Sequence, residues 1–155
     1  MRAMRPLVWL LSGGIAAGCA VSSDGPLAIR YGTSACAECR MLISEARYAA
    51  AASTQAGEPI VFDSTECLVR YVRRAGSSPA RMWVHDYGAD RWLAAEGAFY
   101  VASPELATPM GQGVVATASA AEAGRLAGAV RGRVLRFAQL ADWMDRAAQD
   151  DTRSP

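Results

Sequence analysis

The chain has 155 residues, 16 basic and 15 acidic side chains, and a formal net charge of +1. That balance offers no basic face for nucleic acid, and the length suits one ordinary domain with enough bulk for a real core. Every basic residue is arginine, and lysine does not occur.

Residues 1–18 read as an export leader. Arg2 and Arg5 precede a short apolar run from Leu7 to Leu11. The run is too short to cross a bilayer, which takes ~20 apolar residues. Small residues then lead to Cys19, as in a bacterial lipoprotein signal cut before a cysteine that takes lipid. Leucine is usual three places before such a cysteine; Ala16 stands there, so an ordinary signal-peptidase cut stays open. Either cut puts the mature chain outside the cytoplasm. Residues 19–29 read as a lipidated tether, 30–148 as one folded domain and 149–155 as a disordered polar tail.

Leu27 to Tyr31 alternates weakly and suits a first strand, with a loop from Gly32 to Ala35. Met41 to Ser53 reads as one long extended segment, although its alanines, Ala49 to Ala52, suit a helix equally well. Gly57 and Pro59 break it before a short buried strand, Ile60 to Phe62. A helix over 63–75 follows, with Asp63 as its N-cap and Glu66 completing a capping box. Cys67, Leu68, Tyr71, Val72 and Ala75 make its apolar stripe, Arg70, Arg73 and Arg74 its wet face, and Gly76 its stop. Arg81 to Asp86 and Arg91 to Leu93 form a hairpin, and Ala98 to Val101 is a further strand. A loop from Ser103 to Gly113 leads to a strand over Val114 to Thr117. Ser119 caps a helix that runs to about Val130, Val134-Leu135 is a short strand, and Phe137, Leu140, Ala141 and Met144 space a last helix. The order repeats itself. The expected fold is α+β, a single domain of two duplicated ββαβ halves with mostly antiparallel sheet.

The chemistry concentrates in Cys36-Ala-Glu-Cys39-Arg-Met41. Thiolate and thioether are soft donors, and soft donors select soft metals, Cu(I) above all. On an extended strand, residues two apart share a face, so the sulfurs of Cys39 and Met41 converge while Cys36 folds back from the loop. Met41 as plain core is the competing reading. Met110 lies in a Pro-Met-Gly turn where a large apolar side chain gains little burial. It is either a mobile third ligand or a plug over a sheet edge. Cys67 sits on an apolar stripe, the usual place of a core cysteine, yet close enough to a helix N-terminus to be recruited. Asp63 and His85 complete a set of secondary candidates; each also has a structural explanation, Asp63 as a cap and His85 as an isolated strand histidine. With Cys19 lipidated, an odd number of thiols remains, and free thiols outside the cytoplasm call for a metal or a redox partner.

Taken together, the CxxC-Arg-Met segment, Ile60-Val-Phe-Asp63 with Cys67-Leu-Val-Arg-Tyr71, Ala98-Phe-Tyr-Val101 and Thr108-Pro-Met-Gly111 resemble the nitrous oxide reductase accessory lipoprotein family (NosL), over residues 30–140. The resemblance implies a non-enzymatic Cu(I) chaperone on the periplasmic face of a bacterial membrane, held there by lipid on Cys19. It implies copper delivery for the centres of nitrous oxide reductase, with a membrane ABC-type complex as partner and no nucleic acid. It also implies a fold similar to the metal-binding part of organomercurial lyase, with Cys39, Met41 and Met110 as ligands and Cys36 next. Where the family has glycine, this chain has Arg40, which removes the freedom to take a positive φ and adds charge. The alternative function is an extracytoplasmic thiol–disulfide oxidoreductase using Cys36 and Cys39, although no helix pattern opens at that pair.

Overall fold

The computed structural model describes residues 25–26, 29–75 and 79–151. The leader, Cys19 and Gly76 lie outside the described residues.

Strand β1 (Ala50–Ser53) is the centre of the first sheet, paired antiparallel to β2 (Pro59–Phe62) and β3 (Arg81–His85). β4 (Trp92–Ala94) returns antiparallel along β3. Between β2 and β3 runs helix α1 (Thr65–Ala75), which packs against β1. The second sheet is centred on β5 (Phe99–Ala102), flanked antiparallel by β6 (Val114–Thr117) and β7 (Arg133–Leu135). Helix α2 (Ala120–Ala129) connects β6 to β7, and α3 (Phe137–Asp151) closes the domain. The sheet orders are β2-β1-β3-β4 and β6-β5-β7. With β4 set aside, each half runs β-β-α-β with its first strand in the middle. The expected duplication is therefore present in topology as well as in pattern.

The alanine run lands in the central strand. Ala50, Ala51 and Ala52 are buried, with α1 on one side and β2 and β3 on the two flanks. Small side chains here let the helix approach the sheet, and that packing overrides alanine's helical preference. One core cluster joins Phe62, Leu68 and Val84 of the first half to Tyr100, Val114 and Leu135 of the second, with Leu140 and Met144 of α3. A parallel bridge, Asp86 to Ala116, also ties the sheets, and the Tyr87 N–H donates to the Ala116 carbonyl at 2.9 Å. No described helix is long and apolar enough to cross a membrane.

Four local expectations are corrected. Met41 to Ser53 is not one strand. A bridge pairs Leu42 with Ala35, a 3-10 turn occupies Ala46–Tyr48, and the strand begins only at Ala50. The expected strand to Tyr31 instead enters a turn at Tyr31, with Leu27 and Ala28 outside the described residues. Helix α1 starts at Thr65 rather than Asp63, because Ser64 is the better-placed cap: its Oγ accepts the Cys67 N–H at 3.2 Å. Helix α3 continues to Asp151, into the stretch read as tail.

Candidate metal centre

The CxxC segment is the tip of an irregular hairpin. Ile43 N–H donates to the Ser34 carbonyl at 2.9 Å, and Gly32 N–H to the Ile43 carbonyl at 2.8 Å. Nearer the tip, Cys36 N–H donates to the Met41 carbonyl at 2.8 Å, and Arg40 N–H to the Cys36 carbonyl at 3.1 Å. Ala37 N–H donates to the Val61 carbonyl at 2.9 Å and pins the tip to β2. The loop closes because Arg40 is left-handed, with φ of 67°. Arginine thus adopts the conformation that glycine takes freely, against the expectation that it forgoes a positive φ here. The turn also overturns the alternation argument for Cys39 and Met41, because these two residues do not lie on an extended strand.

Cys36 is fully buried and Cys39 half-buried at this tip, while Cys67 is fully buried in the first turn of α1. All three are free thiols, and their sulfurs lie within 4.8 Å of one another. Among the described residues, this is the group of His, Cys, Asp and Glu donors compact enough to hold a metal; His85 and Asp63 are not in it. His85 is buried, its Nε2 3.2 Å from Asp90 Oδ1, its Nδ1 3.2 Å from the Asp86 carbonyl, and its ring edge-on to Trp92. Met41 is 53% exposed and its neighbour Leu42 56%. Met110 is half-buried and packs against the cluster that contains Cys36 and Cys67.

A family model for NosL matches residues 27–144. The chain belongs to the NosL family. Among solved structures, the copper chaperone NosL from Shewanella denitrificans has the same fold, with a TM-score of 0.66 and 21% identity over 74% of this chain and 94% of that one. No curated protein sequence matches the chain.

The electrostatics of this NosL-family site set its three thiols apart. The Cys67 thiol hydrogen-bonds to the Cys36 sulfur, and the backbone N–H groups of Asp63, Cys39 and Glu38 point at it as well. Together they hold Cys36 down to about 5, against burial. Cys67 is pushed up, first by that same bond to Cys36 and then by burial. Burial also raises Cys39. These contacts make Cys36 the thiol most readily deprotonated of the three, and a bound cation would draw the protons from the other two. Asp63, freed from capping, is raised by burial and then by the Cys36 charge. Its Oδ1 and the Oε2 of Glu66 are buried without a hydrogen-bond partner. Asp63 lies close enough to Cys36 and Glu66 for their negative charge to oppose its ionisation, which marks a pocket where a cation is favoured.

Sequence reasoning gave Cys67 a secondary place. The cue that raises it was present: a Ser64 cap puts Cys67 in the first helical turn, facing the sheet. The inward turn of Glu66 was also missed, because a capping box gave that carboxylate a sufficient surface role.

Proposed function

We propose that this protein is an extracytoplasmic, lipid-anchored chaperone that carries Cu(I) and delivers it for assembly of the copper centres of nitrous oxide reductase, through a membrane ABC-type complex. The observation that carries the reading is the convergence of three free thiols within 4.8 Å. An all-sulfur donor set suits a soft, filled-shell ion, and family membership points the same way. The solved NosL of the same fold is described as a copper chaperone.

Each side chain has a task in this reading. Cys36, the thiol most readily deprotonated, captures the ion, and Cys39 then joins it and releases a proton. Cys67 closes the set from α1, and Met110 adds a neutral thioether. Met41, exposed beside the tip, is placed to engage the ion as it enters or leaves. Low-coordinate Cu(I) passes by ligand exchange, so an incoming donor binds before the last one departs. Lipid on Cys19 keeps the carrier at the membrane face where its partners sit. The competing oxidoreductase reading gains little support, because Cys36 and Cys39 lie in a hairpin tip and no helix dipole opens at the first of them.

The test is anaerobic Cu(I) competition against a coloured chelator on the reduced protein. One Cu(I) per chain is expected, with affinity at least about tenfold lower, some 1.4 kcal/mol, in Cys36→Ser and in Cys39→Ser. Unchanged affinity in both variants discards the site.

A further inference from the structure

Glu66 stands directly before Cys67 in the first turn of α1, fully buried. Its Oε1 accepts the Thr108 hydroxyl at 2.6 Å and the Val114 N–H at 3.2 Å. Those two residues are the two ends of the segment that carries Met110. Thr108 acts twice, because its Oγ1 also accepts the Gly113 N–H at 3.1 Å. Within the segment, Gly111 N–H donates to the Thr108 carbonyl at 2.9 Å, closing a tight turn over Pro109 and Met110. Below it, Ser103 N–H donates to the Gly113 carbonyl at 2.9 Å. The neck of the loop is therefore knotted by hydrogen bonds onto one carboxylate of the helix that bears Cys67.

We infer that Glu66, through the Thr108 hydroxyl, is a positioning residue that fixes where the Met110 thioether stands relative to the three thiols. The inference rests on the Cu(I)-carrier reading above. A buried carboxylate that accepts two donors is held far more firmly than a surface loop holds itself. Its position next to Cys67 means that a shift of the α1 N-terminus moves the thiol and the Met110 turn together. An unbranched methionine has three rotatable bonds, so without an anchored backbone its sulfur samples many places, and ordering it on binding costs affinity.

A double-mutant cycle on Cu(I) affinity tests this, with Thr108→Val as the least invasive cut. Valine keeps the shape but removes the hydroxyl that joins Glu66 to the turn. In the otherwise native chain, Thr108→Val is expected to weaken Cu(I) binding about tenfold. In a Met110→Leu background the same change should have almost no further effect, since the group it positions is gone. Glu66→Gln, which retains an acceptor oxygen, should fall between the native chain and Thr108→Val. X-ray absorption of the copper-loaded chain should show fewer sulfur neighbours in Thr108→Val than in the native chain. Equal losses in both backgrounds mean a general structural role and overturn the inference. So does native affinity and an unchanged sulfur count in Thr108→Val, or an inert Met110→Leu, although thiol binding then survives. If the native chain takes up no Cu(I), the carrier reading itself fails.

Discussion

At the scale of single residues, Arg40 and Cys36 are each held in a state that an isolated residue avoids. Arg40 has φ of 67°, where a side chain with a Cβ costs roughly 1–2 kcal/mol. Glycine escapes that cost but loses more entropy on folding. The net expectation for Arg40→Gly is a gain of ~1 kcal/mol, read as a higher urea midpoint with an unchanged slope. Cys36 is held near 5 where an ordinary thiol sits at 9.0. Its folded value is depressed, so its contribution to stability is full above the unfolded value and fades as pH falls through the folded one. In the metal-free reduced protein, stability should therefore climb between pH 5 and pH 9. Ultraviolet thiolate absorbance should persist at neutral pH and vanish on acidification through the same lower limit. Cys36→Ser should flatten both curves; a native chain with no thiolate absorbance at neutral pH refutes the assignment.

At the scale of elements, the sequence carried most of the architecture and less of the site. The strands β2, β3, β5 and β6 follow from alternation and from apolar runs bounded by glycine and proline, and Ser119 caps α2 as its spacing requires, accepting the Glu122 N–H at 3.2 Å. Periodicity reports which face is buried, and burial drives those elements. The extended reading of residues 39–43 fails for the converse reason. Their hairpin is held by backbone bonds and by one left-handed arginine, and neither leaves a hydrophobic period. The loop before β6 was legible in outline, since Pro109, Gly111 and Gly113 demand turns. Gly113 is obligatory there: it has φ of 67°, and an added Cβ would collide with the Ser103 carbonyl. What the sequence hid is the partner of that loop, because Glu66 and Thr108 lie 42 residues apart. Cys67 was legible as a residue of the first helical turn, but its meeting with the two hairpin thiols was not. Long-range convergence depends on how the halves dock, and no local window contains it.

At the scale of the whole molecule, the candidate ligands straddle the duplication. Cys67 belongs to the first ββαβ half, Cys36 and Cys39 to the hairpin that leads into it, and Met110 lies between β5 and β6 of the second. The halves meet through one shared core, through the Asp86–Ala116 bridge and through Glu66 reaching the Val114 N–H. A cation bound by both halves thus acts as a cross-brace, and because it binds the folded chain it stabilises it by about 4 kcal/mol at a thousandfold excess over Kd. Local opening of the two halves should become coupled once it is in place. Hydrogen exchange on the apo and Cu(I)-loaded chains reads this directly. Loading is expected to slow exchange at residues 36–41, at the first turn of α1 and across 108–114 together. Slowing confined to the 36–41 hairpin and α1 would mean a site made by the first half alone, with Met110 a plug over the core. Slowing in all three segments, lost from 108–114 in Met110→Leu, would place the metal at the seam between the repeats.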